Sequence, residues 1–515
     1  MKHFNIGGPC RPEDHYMLSA AYRLPELRRL IDQKEYFVIH APRQVGKTTM
    51  MMQLAQALME EGRFNAVVIS VEAGRAFPDD VGAAELAILD GWRTGTASLP
   101  AKLQPPPWPQ AQPGGRISHA LQAWTLASPR PLVVFIDEID ALQNDPLLSV
   151  LSQLRAGFPL RPQAFPWALA LIGMRDVRDY KIKSGGSDRL NTSSPFNIKA
   201  RSLTIGNFTA EEVAALYQQH TTQTGQVFAD EAVARAFELT QGQPYMANAL
   251  AKVAVEELQP DVTQAITIQE IEQSKEMLIE RRETHLDSLA ERLTEERVRR
   301  VIEPILAGDE AIEIPEDDRR FVLDLGLVAK VNGGHLQIAN PIYREVVPRV
   351  LAGSVQDTLR QETTWYVLPD GRLDMDKLLT AFQQFFREHS ESWVERFDYK
   401  EAGPQLLMQA FLHRVINGGG RIEREYGLGR GRTDLLVIWP YPQGVQRIVL
   451  ELKVLRKALE KTITEGLEQT LEYGERCNAD ELHFVVFDRS KKPWSKKIFK
   501  RTRKLRGTTI KVWGM

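Results

Sequence analysis

Tyr36-Phe37-Val38-Ile39-His40 runs straight into Ala41-Pro42-Arg43-Gln44-Val45-Gly46-Lys47-Thr48-Thr49, and the chain continues in an amphipathic pattern from Met50 to Glu61. An apolar strand, a loop ending in Gly-Lys-Thr and a helix are the setting of a phosphate-binding loop. In that setting the loop amides and the helix N-terminus point at phosphates, Lys47 reaches the β- and γ-phosphates, and the Thr48 hydroxyl serves Mg²⁺. Gly46 permits close backbone approach to the anion. Ala41 departs from the glycine usual at the first position. A chance Gly-Lys-Thr in a turn is the competing reading, and the flanking strand and helix count against it.

A second stretch, Leu132-Val-Val-Phe-Ile-Asp137-Glu138, is an apolar strand that ends in two acids. Asp137 is expected to hold Mg²⁺ directly or through water, and Glu138 to orient and polarise the attacking water. Together the two stretches predict an ATPase with ATP and Mg²⁺ as cofactors. Working outward, the runs YFVIH, AVVISV, PLVVFID and WALALIG alternate with helical patterns from Glu35 to about Ile205. Strands separated by helices predict an α/β fold with a parallel sheet covered on both faces. Pro100 to Gly115 (PAKLQPPPWPQAQPGG) interrupts this order and reads as a mobile surface insertion.

Beyond the sheet, Thr209 to Leu258 reads as all helix, with Thr209 and Glu212 spaced as a capping box and Asp230 offering a second N-cap. Helical patterns around LTEERVRRVIEPIL and DDRRFVLDLGLV, followed by the Gly-containing VNGGHLQIAN, suggest a winged helix. Residues from about Tyr16 to Val350 resemble an AAA+-type ATPase of the STAND-related and archaeal kind. Thr240-Gln-Gly-Gln-Pro244-Tyr245 is similar to the Gly-x-Pro motif of the lid in those families. The resemblance implies that Arg175, after the strand LALIGM, senses the γ-phosphate, and that lid and winged helix move with nucleotide state. Arg175 and Arg178 read equally as surface arginines after a strand, and Arg201 is a weaker candidate for a finger acting on a neighbouring subunit.

The expected division is a P-loop ATPase core over 1–205 with the insertion 100–115, a helical lid over 206–272 and a winged-helix-like unit over 273–350. A helical connector over 351–392 and an α/β domain over 393–515 complete it. The chain has 515 residues, enough for several cores. Its formal net charge of -2 predicts no polyanion partner by itself, although a local patch can hide in a balanced total. Two cysteines, Cys10 and Cys477, exclude a disulfide framework and a four-cysteine zinc site. With no signal-like or membrane-spanning apolar run, the expectation is a cytoplasmic protein without a membrane partner.

The last domain carries a second constellation. Gly429-Arg-Gly-Arg-Thr433-Asp434 leads into DLLVIW, and after Pro440 and Pro442 the strand RIVL runs into Glu451-Leu452-Lys453. Paired as a hairpin, these strands bring Asp434, Glu451 and Lys453 together. Two close carboxylates need a cation between them, and Mg²⁺ takes such ligands. This part resembles the PD-(D/E)XK nucleases, with Thr433 in place of the proline. Gln469-Thr-Leu-Glu-Tyr473 matches the Gln-x-x-x-Tyr motif of the RecB-like branch, and its spacing puts both side chains on one helical face. Glu401 stands where such nucleases often add an acid. Glu-x-Lys alone on a strand has no diagnostic value; the ordered set does.

The resemblance implies a Mg²⁺-dependent nuclease, with Mn²⁺ as a substitute metal, and catalytic roles for Asp434, Glu451, Lys453, Gln469 and Tyr473. From Arg489 to Lys511 the chain carries eleven Lys and Arg residues and no acid, with Trp494 and Phe499 interleaved, which suits a DNA backbone. Arg297, Arg299 and Arg300 lie among Glu295, Glu296 and Glu303 and read as a solvated face instead. The favoured expectation is an ATP-regulated DNA nuclease, with a role in bacterial defence or mobile elements by analogy. The alternative is a nucleotide-gated DNA-binding or assembly protein with a catalytically silent nuclease fold; a DNA motor is a third reading, without helicase motifs to support it. A homo-oligomer is compatible with all of them.

Overall fold

The computed structural model describes residues 2–19, 23–175, 198–281, 291–293, 295–307, 314–330, 335–351, 366–394, 408, 411–412, 420–425, 434–455, 458–488, 490 and 492–515. They form two compact units, the first comprising residues 1–275 with 324–326 and the second the remainder. Arg178, Glu401, Gly429 to Thr433, Arg489 and Lys491 lie outside the described residues, and Asp434 is described by its backbone alone.

The first unit opens with α1 (Glu26–Asp32), β1 (Tyr36–His40), α2 (Lys47–Glu60), β2 (Asn65–Ser70), α3 (Val81–Gly95) and α4 (Arg116–Ala127). β3 (Leu132–Asp137), α5 (Asn144–Gly157), β4 (Ala168–Gly173) and β5 (Arg201–Thr204) complete its sheet. The strands form one parallel five-stranded sheet in the order β2-β3-β4-β1-β5. Alternate residues of one strand feed two cores: Tyr36 and Val38 pack with Trp92, Trp124 and Leu151, whereas Phe37 and Ile39 pack with Leu30, Met51 and Leu58. Burial on both faces explains why the strands read as continuous apolar runs. This is the α/β fold of a P-loop NTPase.

The proline-rich stretch is docked. Trp108 from its middle stands edge-on between Trp92 and Trp124, with ring centroids 6.5 and 6.1 Å away, and its indole N–H donates to Leu89 O at 3.0 Å. Buried Glu85 accepts from the Gly114 N–H at 3.0 Å and from the Gln153 amide at 2.6 Å. The segment forms no regular element between Pro105 and Gln112, as its prolines dictate. The segment lies at the surface as expected, but aromatic packing holds it down, which argues against the expected mobility.

α6 (Ala210–Thr224), α7 (Asp230–Thr240), α8 (Pro244–Val253) and α9 (Ile268–Arg281, which groups with the second unit from Glu276 on) follow. Thr209 and Glu212 make both bonds of a capping box at the start of α6. Phe4 and Tyr16 of the N-terminal segment bury themselves against Tyr217, His220 and Phe228. The Gly-x-Pro stretch has a local physical cause. Gly242 adopts φ +69° and accepts from the Phe208 N–H at 2.8 Å, Gln243 caps Met246 N, and Pro244 opens α8. A Cβ at position 242 would stand 1.9 Å from Phe208 O. Gly242→Ala is therefore expected to lose roughly 2–4 kcal/mol, from the left-handed backbone and from the clash. Urea unfolding of the variant checks this; an unshifted midpoint would show that the turn simply relaxes.

The second unit contains α10 (Glu296–Ala307), α11 (Glu316–Asp324, whose last residue groups with the first unit), the hairpin β6 (Val328–Lys330) and β7 (Leu336–Ile338), and α12 (Pro341–Leu351). On α10 the cations are engaged locally: Arg297 lies over Phe321 and 3.4 Å from Asp318, and Arg300 bonds Asp318 at 3.1 Å and Glu296 at 2.5 Å. That pairing speaks against a DNA-binding face, yet the face is not the solvated one expected either: Glu303 is fully buried, and Arg297 and Arg299 are half-buried.

The C-terminal part has α13 (Met375–Val394), β8 (Arg421–Glu425), β9 (Asp434–Tyr441), β10 (Gly444–Val454), α14 (Leu459–Cys477), β11 (Glu481–Phe487), a short α15 (Trp494–Lys497), β12 (Phe499–Leu505) and β13 (Thr508–Gly514). Its six-stranded sheet is mixed, in the order β12-β13-β11-β10-β9-β8. The β10–α14–β11 crossover joins parallel neighbours, and Gly466 lets α14 sit directly on Phe484. α13 packs on the sheet too: Gln383 Nε2 donates to Gly514 O at 2.8 Å and to Phe499 O at 3.2 Å.

His483 is fully buried in β11 and receives the Trp513 indole N–H on Nδ1 at 3.1 Å, while Nε2 lies 3.4 Å from Glu481. Nδ1 must therefore be an acceptor, which leaves the proton on Nε2 in the neutral ring. Burial holds this imidazole below its ordinary 6.5, against the pull of Glu481. The unfolded chain thus binds a proton that the folded one refuses. Stability from this residue is complete above pH 6.5 and is lost as pH falls below it. The melting temperature is expected to drop between pH 7.5 and 5.5, and less so in His483→Gln; equal slopes in the two proteins would refute it.

Candidate functional site

Strand order brings the first site together. β4 lies between β1 and β3, so the ends of all three face the same edge, where α/β sheets bind ligands. Gly46 at φ +87° and Gln44 at φ +60° turn the loop onto the start of α2. Ala41 and Val45 are buried and anchor the loop, whereas Arg43 and Gln44 are exposed at its apex. Lys47 Nζ donates to Ala41 O at 2.8 Å and to Pro42 O at 2.7 Å. Burial pulls its ammonium below the usual range, opposed by Asp140, Asp137 and Glu138. Thr49 accepts the Cys10 N–H at 3.0 Å.

Thr48 Oγ1 donates to Asp137 Oδ2 at 2.6 Å, so the hydroxyl and the carboxylate expected to serve Mg²⁺ face each other. This pair of hard oxygens, beside a lysine resting on backbone carbonyls, fits a Mg²⁺-nucleotide. Glu138 follows in the left-handed region at φ +58°, an unusual place for a residue with a side chain, and its N–H donates to Asp137 Oδ1 at 2.9 Å. Burial, then Asp140, Asp137 and Glu72, push its carboxyl above the usual range. Arg175 Nε lies 4.0 Å from Asp324 Oδ2 within the first unit. Arg201, on edge strand β5, is bonded to Glu26 at 2.5 Å.

One residue was missed from the sequence. Asp140 Oδ1 accepts the Met174 N–H at 3.2 Å, tying the turn after β3 to the end of β4 just before Arg175. The repeated acid in Asp137-Glu138-Ile139-Asp140 was the available signal.

In the second unit the β9–β10 hairpin sets Asp434 directly opposite Glu451. Glu451 is fully buried, and neither of its carboxylate oxygens has a hydrogen-bond partner among the described residues. Lys453, two residues along the same strand face, puts Nζ 3.8 Å from Glu451 Oε1 and donates to Gln469 Oε1 on α14. Tyr473, one turn further on, is buried under the same helix. The described structure thus gathers Glu451, Lys453 and Gln469. Among the described residues no group of three His, Cys, Asp or Glu side chains is placed to hold a metal; the side chain of Asp434 stands outside that count.

No protein-family model matches the chain, and no curated protein does. Among solved structures, the chain is similar to a Walker-type ATPase of Pyrococcus abyssi at 13% identity and TM-score 0.48, covering 67% of this chain and 99% of that one. The Holliday junction branch migration motor RuvB of Thermotoga maritima gives 16% identity and TM-score 0.36, covering 64% and 93%. Cdc6p of Pyrobaculum aerophilum gives 11% identity and TM-score 0.36, covering 66% and 94%. All three scores are below 0.5, so the class of this chain rests on its own strand order and loop: it contains a P-loop NTPase domain. No helix among the described residues is long and apolar enough to cross a membrane.

Proposed function

We propose that the chain is an ATP-binding and hydrolysing switch, AAA+-like in its first unit, that controls a Mg²⁺-dependent DNA nuclease in its C-terminal domain. The observation that carries the nuclease half is Glu451. A fully buried carboxylate without a hydrogen-bond partner is costly, and an opposing Asp434 makes it costlier unless a cation joins them. Asp434 and Glu451 would hold Mg²⁺ or Mn²⁺, which supplies a polarised water and Lewis-acid stabilisation of the phosphate. Lys453, steadied by Gln469, faces charge that builds on the phosphate as water attacks and the ester bond breaks.

In the first unit Lys47 would exchange its carbonyl partners for the β- and γ-phosphates, Thr48 and Asp137 would hold Mg²⁺, which screens the phosphate charge, and Glu138 would orient the attacking water. Arg175 is the residue we assign to γ-phosphate sensing. The presence of both sites in one chain supports ATP control of cleavage, and DNA is the partner.

Full-length protein incubated with plasmid and with linear single- and double-stranded DNA, with Mg²⁺ or Mn²⁺ and with or without ATP, tests this. Cleavage should vanish in Lys453→Ala and respond to ATP in the parent but not in Lys47→Ala. Undiminished cleavage in Lys453→Ala would overturn the site assignment. DNA retained by the parent without any cleavage would select the alternative, a nucleotide-gated DNA-binding or assembly protein with a silent nuclease fold.

A further inference from the structure

The basic stretch that reads as one acid-free run divides in space into a neutralised and an unneutralised part. Along β12, Lys500 pairs with Asp376 at 3.1 Å and Arg501 and Arg503 with Glu460 at 2.8 and 3.6 Å; in the turn after it, Arg506 pairs with Glu468 at 3.1 Å. Lys511 on β13 reaches Asp376 at 3.0 Å and Glu481 at 3.4 Å. A phosphate arriving there must first displace a carboxylate, and its gain is the difference between two similar ion pairs.

The turn before β12 differs. Lys492 has Asp488 at 3.5 Å, but Lys496 and Lys497 have no carboxylate partner among the described residues. Lys497 is only 8% exposed, and its Nζ sits 4.8 Å over the Trp494 ring, which packs edge-on against Phe386 at 5.8 Å. Its ammonium is thus held in place by an aromatic face, without a counter-charge. Lys496 beside it is exposed.

The sheet register locates this turn. Lys453 pairs with Val486, Val486 with Gly514, and Gly514 with Phe499, one row across four strands. The turn lies at the same end of the sheet as Lys453. Three strand spacings amount to about 14 Å between Lys453 and Phe499, at the end of the turn. Lys504 also lacks a carboxylate partner, but it sits toward the opposite end of β12, about 17 Å away along the strand.

We propose that Lys496 and Lys497, positioned by Trp494, form a phosphate track that guides a DNA strand to the Asp434–Glu451–Lys453 centre. The proposal rests on the nuclease reading for the strand's destination, but not for its binding.

Full-length Lys453→Ala protein, which keeps the DNA intact, is titrated with a labelled single-stranded oligonucleotide across a salt series. Adding Lys496→Ala and Lys497→Ala should reduce the slope of log K against log salt by about 1.4, and Lys496→Ala alone by about 0.7. The exposed single variant guards against misfolding of the double one. Lys504→Ala should leave the slope unchanged. Unaltered slopes in both track variants, or an equal drop in Lys504→Ala, overturn the proposal. If the parent cuts no DNA while the slopes fall as stated, the nuclease reading fails and the track stands; parent cleavage with unaltered slopes sinks the track alone.

Discussion

Glu451→Gln is expected to abolish DNA cleavage and to raise the melting temperature of the protein. The two effects share a cause. The wild-type carboxylate is fully buried and, among the described residues, has no hydrogen-bond partner on either oxygen and only Lys453, 3.8 Å away, to offset its charge. Replacing it by a neutral side chain of the same shape should recover about 1–3 kcal/mol, a rise of a few degrees for a domain of this size. The charge is also what would hold the metal, whose contribution to phosphodiester cleavage is worth several kcal/mol, so turnover should fall at least about 10³-fold. A thermal series with and without Mg²⁺ separates the outcomes. Mg²⁺ should stabilise the parent and leave the variant unmoved. A variant that melts lower than the parent, yet still responds to Mg²⁺, would remove Glu451 from the metal site.

Glu138→Gln should reduce ATP turnover by about 10²–10⁴ while nucleotide affinity is retained. In the proposed site phosphate binding would fall to Lys47, Thr48 and the loop amides; the described bonds of Lys47 and Thr48 do not involve Glu138, whose N–H donates to Asp137. The side chain stands apart from that grip, its carboxyl pushed upward by burial beside Asp140 and Asp137, as befits a group that accepts a proton from water. Steady-state hydrolysis and fluorescent-nucleotide binding, measured on one preparation, check the split. Loss of affinity together with turnover would mean that Glu138 instead braces the loop through its left-handed backbone.

The parts of the fold legible in the sequence were those written in consecutive residues. Apolar strands with acids or a Gly-Lys-Thr at their ends announce both their burial and the edge they reach, because the parallel sheet aligns those ends. Asp434 and Glu451 could be put on paired strands, since a short proline-containing turn separates them. Features that depend on distant partners were not legible. The run from Arg489 to Lys511 is acid-free in sequence, yet Glu460 and Glu468 on α14 and Asp376 on α13 neutralise most of β12 in space. Trp108 reads as a hydrophobe stranded among prolines, and only the fold shows Trp92 and Trp124 on either side of it. Asp140 was overshadowed by the acid pair before it.

The Asp434–Glu451 pairing is an end product of counting. The strands are joined at Tyr441–Gly444, about 24 Å along the ladder from those two residues. Adding or deleting one residue in that connection leaves every chemical group in place in the sequence, yet slides one strand past the other and turns its side chains to the opposite face. The hairpin is therefore a ruler, and the vulnerable position for loss of cleavage by a small insertion lies at its far, solvent-facing tip, where no site residue is found.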